Sequence, residues 1–408
     1  MSENTSAAKA AKAPAARYGG KGLNIAIGVC ALLAVCGVAL WIVQLTGGMV
    51  QTGMRNLDSW GAYITMFMFL VGLSAGGLII SSVPKAFGMK GFGGISKVAV
   101  WTSICCTVLA IGFVVVDMGQ PFRVWELFIY SNLGSPLMWD IIVLGTYLIL
   151  SIVYLWAQVR AEAGKVSHTA LRVIAVVALV CAVLVHSVTA WIFGLQQSHE
   201  LWHTALLGPW FVSSALVCGT ALVLVVVIAL RRVGYLAVDQ ANVEKLAKML
   251  GAFVCVDLYF FGCDLLTSAF PNGSGAEVVA MLVAGPLAPF FWGEIVLCVA
   301  CAVVCFVPSL RKNGLIVAAS VAAIVGILFK RIQLLVGGFQ IPNLDYASAL
   351  TPMAATNWDA GMAGVYQGLV YAPTMLELGI VLGVVALGGL LLCLGLKYLP
   401  LKPAGEEE

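Results

Sequence analysis

Charge is what this sequence has least of. Asp, Glu, Lys and Arg together make up 10% of the 408 residues, whereas 61% are apolar. A water-soluble chain of this length needs a charged surface, and a net charge of +3 spread so thinly supplies none. Stretches of about twenty residues without a charge recur along it, the mark of helices that cross a bilayer. The slight positive balance gives no reason to expect a nucleic acid partner.

Histidine is scarce too. Of the four histidines only His186 lies well inside an apolar segment, with His168, His199 and His203 at segment ends. A transmembrane haem held by two imidazoles is therefore not expected. Cysteine is plentiful at twelve, but Cys30, Cys36, Cys181, Cys218, Cys255 and Cys393 sit in apolar runs as small hydrophobes. The stretch "CVACAVVC", with Cys298, Cys301 and Cys305, lies mid-helix among Ala and Val and reads as packing. No ferredoxin-type motif is present, so neither an iron–sulfur cluster nor a metal site is expected in this chain. "GLSAGG" (Gly72 to Gly77) is Gly-rich inside an apolar segment, where it allows close helix approach and does not form a phosphate loop.

What is present is a series of ten apolar spans, near 23–45, 60–84, 97–119, 136–158, 170–196, 206–230, 246–270, 287–309, 315–337 and 373–397. They predict an all-α polytopic membrane protein with ten transmembrane helices. Residues 1–22, rich in Ala and Lys, read as a solvated tail, and the first span (23–45) as an uncleaved anchor. Eighteen of the 22 Lys and Arg fall on one side, leaving Arg55, Arg123, Lys330 and Arg331 on the other. By the positive-inside rule both termini are then cytoplasmic, in what is expected to be a bacterial inner membrane. A long outer loop is expected over 338–372, the tenth helix over 373–398 and a second tail over 399–408.

"SPLMWDIIVL" (Ser135 to Leu144) aligns with "APFFWGEIVL" (Ala288 to Leu297), sharing Pro, Trp, Ile, Val and Leu. Both open a helix from the outer side. The match implies a parallel repeat of two four-helix bundles, helices two to five (60–196) and six to nine (206–337), with one flanking helix at each end.

Ionisable residues inside a bilayer are costly, by roughly 2.5–3.5 kcal/mol each on insertion scales, so where they gather is informative. Asp117, Asp140, His186, Lys330 and Arg331 all fall in the outer half of their helices, with Arg123, Trp139, Trp191 and His203 on the same fringe. Taken singly, Asp117 and Arg123 fit an interfacial cap and His186 a helix–helix hydrogen bond. Taken together, they predict a site near the outer face. A second group, Asp257, Asp264, Glu294 and Glu377, fits either a proton path or isolated protonated acids bonded to neighbouring helices.

Five motifs in register, "FLVGLSAGGLI", "DMGQPFRVWELF", "NLGSPLMWD", "HSVTAWIFGLQ" and "WHTALLGPWFVSSALVCGTAL", resemble the NrfD-like polysulfide reductase membrane-subunit family. "FFWGEIVL" and "YAPTMLELGIVLG" look like its later helices. The resemblance implies a haem-free subunit that binds quinone near the outer face, menaquinone being the expectation. Its implied partners are a ferredoxin-like iron–sulfur subunit and a catalytic subunit, either a molybdopterin enzyme or a multihaem cytochrome. On that reading Asp140 and His186 exchange protons with the quinone. Tyr63, Asp117, Arg123, Trp139, Trp191 and Arg331 would surround it, although two adjacent cations on the ninth helix leave open which one serves. A secondary transporter or proton-conducting channel, and a passive membrane anchor, are the competing classes. The motif register and the outer polar layer count against both.

Overall fold

The structure, a computed structural model, describes residues 20–55, 58–88, 93–270, 274–340 and 371–402. Most of the outer loop expected over 338–372, and most of both expected tails, lie outside these residues. Among the described residues there are twelve α-helices and no strand. They are α1 (Lys21–Gly47), α2 (Ala62–Phe87), α3 (Gly93–Asp117), α4 (Glu126–Ile129), α5 (Pro136–Glu162) and α6 (His168–Gly194), then α7 (Leu207–Arg232), α8 (Gln240–Ala269), α9 (Ser274–Ala284), α10 (Ala288–Phe306), α11 (Asn313–Gln340) and α12 (Met375–Tyr398). Ten are long and apolar enough to span a membrane, the ten expected from the sequence. The chain is thus a multi-pass membrane protein. Only helices and closed barrels can satisfy every backbone N–H and C=O without water, which is why the chain resolves into helices.

Local sequence sets the ends. Pro136 occupies the first turn of α5, where its missing N–H costs nothing. Ser167 caps α6 by accepting from the Ala170 N–H at 3.2 Å. Thr374 and Glu377 form a capping box at the start of α12. Helix α8 begins six residues before its expected start because "QANVEK" continues the helix, with Asp239 at the N-cap position, beyond the apolar stretch. The short α4 and α9 were not expected, being too brief to register in a twenty-residue hydropathy window.

Contacts close into two rings. Helices α2, α3, α5 and α6 pack around one another, as do α7, α8, α10 and α11, while α1 pairs with α12 against α3. This grouping is compatible with the bundle arrangement implied by the repeat. The rings join chiefly through α2 and α7. Helix α2 is buried almost throughout, whereas α1 is mostly exposed, with Ile25, Leu32 and Val35 turned outward as lipid-facing surface. Where α2 crosses α7, Gly76 and Gly219 touch backbone to backbone, and a Cβ on either would overlap the other helix. Gly37 and Gly383 play the same part between α1 and α12. Small residues are what bring membrane helices this close, since lipid provides no hydrophobic drive between them.

Inside the first ring, hydroxyls act as fasteners. Ser74 on α2 lies 2.6 Å from Thr107 and 3.0 Å from Ser103 on α3, and Tyr147 on α5 lies 2.7 Å from Ser103. Replacing Gly219 by Leu is expected to destabilise the detergent-solubilised protein by about 1–3 kcal/mol through overpacking. The same change at Gly28, which has nothing within 4 Å, should leave the melting temperature close to native.

Candidate functional site

At the end of the first ring where α3 finishes and α5 begins, α2, α3, α4, α5 and α6 enclose a cavity of about 410 Å³. Its walls are apolar, among them Ile64 and Phe67 from α2, Val114 from α3, Ile141 from α5 and Phe193 from α6. Trp60 closes one end, edge-on to Phe193 at 5.7 Å and stacked on Trp202 at 6.5 Å. Phe128 and Leu137 line the cavity while being 64% and 50% exposed, so its mouth opens sideways between α4 and α5. Gly145 leaves room in the wall, with nothing within 4 Å of the position a Cβ would take. Two carboxylates, Asp117 and Asp140, are the charged groups of the lining.

Asp140 sits one turn into α5, with Oδ1 accepting a 2.6 Å hydrogen bond from the Thr189 hydroxyl on α6. The same hydroxyl lies 2.9 Å from the Val185 carbonyl. A hydroxyl carries one proton, so Thr189 serves one acceptor at a time. An ionised Asp140 takes that proton, whereas a protonated Asp140 donates its own to Thr189 Oγ1 and the hydroxyl turns to Val185. The pair is built to hold the carboxyl in either state. Asp117, the last residue of α3, has a buried Oδ1 with no hydrogen-bond partner.

The remaining expected residues are spread around this centre. Tyr63 is fully buried, donates to Gln44 Oε1 at 2.5 Å and stacks on Phe113 at 6.4 Å, outside the lining. Trp139 donates to the Leu133 carbonyl at 2.6 Å and pins the turn before α5. Trp191 is 40% exposed on the outer side of α6. Arg123 is exposed and grips Glu126 through two bonds of 2.7 and 2.8 Å, which hold the Glu126 carboxyl below its ordinary pKa. His186 is buried one turn before Thr189, beside Gly72 and Cys218, with both ring nitrogens unpartnered, and does not line the cavity.

The second ring gathers the other charges. Lys330 is buried in an ion pair with Asp257, which also accepts from Ser213 at 2.8 Å. The same ammonium lies 3.4 Å from Glu294 Oε1 and 4.4 Å from the Trp210 ring centre. Gln333, one turn along α11, donates to Glu294 Oε2 at 3.0 Å. Arg331 turns the other way, donating to Ser214 at 2.6 Å with its guanidinium 3.7 Å from the Phe211 ring centre. Asp264 joins Glu294 and Lys330 around a cavity of about 30 Å³. Glu377 stands apart from this group, bonded to Tyr371 at 2.6 Å, to the Gly53 N–H at 2.7 Å and to the Thr374 N–H at 2.8 Å.

Sequence reasoning missed Thr189, Gln44, Ser213 and Gln333. All but Ser213 had a signal: Thr189 follows His186 by three on one face of a helix, Gln333 follows Lys330 by three, and Gln44 is a lone amide late in the first span.

No group of three or more His, Cys, Asp or Glu among the described residues is arranged to hold a metal. Comparison with known proteins places residues 50–343 in register with the family described as "Polysulphide reductase, NrfD". A relative from Halobacterium salinarum, described as a putative membrane subunit of dimethyl sulfoxide reductase, is 34% identical, covering 93% of this chain and 92% of its own. A selenate reductase subunit from Mesobacillus selenatarsenatis is 24% identical over 91% and 93%. "Hdr-like menaquinol oxidoreductase integral membrane subunit" from Archaeoglobus fulgidus is 28% identical over 65% of each chain.

Replacing Lys330 by Met should cost about 3–5 kcal/mol of stability, because it leaves Asp257 charged and buried without its cation. Adding Asp257→Asn should restore much of that loss. Melting of the detergent-purified variants checks both.

Proposed function

The chain belongs to the NrfD polysulphide reductase family, and we propose that it is the quinone-reactive, haem-free membrane subunit of a respiratory oxidoreductase complex. In this reading it exchanges electrons with a ferredoxin-like iron–sulfur subunit at the outer face. That subunit serves a separate catalytic subunit, a molybdopterin enzyme or a multihaem cytochrome, which selects the terminal substrate. The chain lies in the cytoplasmic membrane with both termini inside, following its Lys and Arg distribution.

The observation that carries the reading is the cavity of the first ring. Its volume of about 410 Å³ falls in the usual small-molecule range of roughly 300–1,000 Å³. It is apolar except for two carboxylates, and exposed apolar side chains, Phe128 and Leu137, frame its mouth. A site of that kind suits a ring with an isoprenoid tail, which can enter from the bilayer and leave its tail there. Menaquinone is the proposed quinone, as the name of the Archaeoglobus relative suggests.

Oxidation of a quinol releases two protons with its two electrons. Asp140 is placed to receive a proton from a ring hydroxyl, because Thr189 can bond its carboxyl in both protonation states. Asp117, at the outer end of α3 with a free oxygen, passes protons to the groove that Arg123 and Glu126 line at the surface. The apolar walls keep bulk water from the exchanging groups. His186, Tyr63, Trp139, Trp191 and Arg331 support the walls or the neighbouring interface without facing the ring.

With complex assembly unchanged, Asp140→Asn is expected to lower the rate of quinol oxidation by roughly 10²–10⁴-fold, the usual worth of a positioned acid or base. Thr189→Val should lower it about tenfold, as loss of a hydrogen bond to a charged group does, and Thr189→Ser should remain near native. Gly145→Leu, which fills the wall, should raise KM for a long-tailed quinol. Native rates and KM in all of these variants would place the quinone elsewhere.

A further inference from the structure

The repeat seen at the start of α5 and α10 extends to the whole plan of the two rings. Each has four long helices with a short one between the second and third, α4 in one and α9 in the other. The large cavity is walled by α2, α3, α4, α5 and α6. The small one is walled mainly by α7, α8, α9, α10 and α11, the same elements in the same order. Both present two acids, one late in the second long helix and one in the first turns of the third: Asp117 with Asp140, and Asp264 with Glu294. The fourth helix makes the difference. Where α6 offers Ile192 and Phe193, α11 offers Lys330 and Gln333, and the space shrinks from about 410 to about 30 Å³.

A volume of about 30 Å³ cannot take a ring, but it has room for one or two waters, each needing roughly 10–15 Å³ by this measure. The polar atoms facing it are ready for one. Asp264 Oδ1 and Glu294 Oε1 are buried with no hydrogen-bond partner, the latter having only the ammonium of Lys330 at 3.4 Å. The charges do not balance among ionised groups. Two buried cations on α11, Lys330 paired with Asp257 and Arg331 bonded to Ser214, stand against three acids, Asp257, Asp264 and Glu294, so one acid of the three is left without a positive charge. An uncompensated carboxylate in such surroundings costs several kcal/mol and takes up a proton instead.

We infer that the cavity between Asp264, Glu294 and Lys330 is a water-occupied site that holds an exchangeable proton, laid out on the plan of the first cavity but filled from α11. The transfer balances without any other reactant. One carboxyl loses its O–H proton to the water, the water passes a proton to the other carboxylate, and the net charge of the cavity is unchanged. Lys330 and Asp257 stay paired throughout, and the cavity holds one carboxyl and one carboxylate before and after the transfer. This inference stands whatever molecule the first cavity binds.

Infrared spectra of the assembled complex in H₂O and D₂O test it. The native protein is expected to show a protonated-carboxyl C=O band that shifts in D₂O and is lost in Glu294→Gln or in Asp264→Asn. Val279→Phe, which fills the cavity from α9 and touches neither acid's identity, should slow the D₂O shift at least tenfold, and it remains informative if the acid variants do not assemble. A carboxyl spectrum unchanged in both acid variants would overturn the inference. So would a lost band that does not shift in D₂O, or a shift whose rate ignores Val279→Phe.

Discussion

A membrane helix with no lipid face must meet its neighbours on every side, and α2 is such a helix. It does so with buried apolar side chains along its length and, at the tightest approaches, with side chains that vanish or bond across. Gly76 lets α7 approach to backbone contact, and Ser74 ties α3 and α5 through a cluster of hydroxyls. In hydrocarbon, close packing and such hydrogen bonds replace the hydrophobic drive of a soluble core. The large cavity lies beside this helix, lined by Ile64 and Phe67 of α2 together with residues of α3, α4, α5 and α6.

The two rings solve one electrostatic problem in opposite ways. Each carries buried acids within its membrane-spanning helices, where an unpaired charge is costly. The first ring leaves its acids at an apolar cavity, with Thr189 supplying a hydrogen bond that can follow the protonation of Asp140. The second ring brings in Lys330, which neutralises Asp257 and fills the corresponding space. One plan thus gives a cavity of about 410 Å³ in the first ring and one of about 30 Å³ in the second.

Much of this was readable in the sequence, and the limits follow from geometry. Hydropathy runs located all ten spans because length and composition alone decide them. Counting residues from helix ends put Asp117 and Asp140 at one depth, and the structure brings them to one cavity. Depth does not give direction around the helix axis, and that is where reading failed. His186 shares the depth but faces α7, and Tyr63 turns to Gln44 on α1. Lys330 and Arg331 are adjacent in sequence, so they point to different faces and take different partners. Glu377 reads as an intramembrane acid yet binds backbone at the start of its helix. Helices α4 and α9 were invisible because a four-residue turn and an eleven-residue apolar helix leave no twenty-residue signal.

The central claim is that the quinone occupies the first ring's cavity. A photoactivatable quinone analogue bound to the native complex, followed by peptide mapping of the label, tests it most directly. The account predicts label on the peptides carrying Val114 to Met118 and Leu137 to Gly145, competed away by unlabelled quinone. Competable label confined to α8, α10 or α11, or spread evenly over lipid-facing residues, would contradict it.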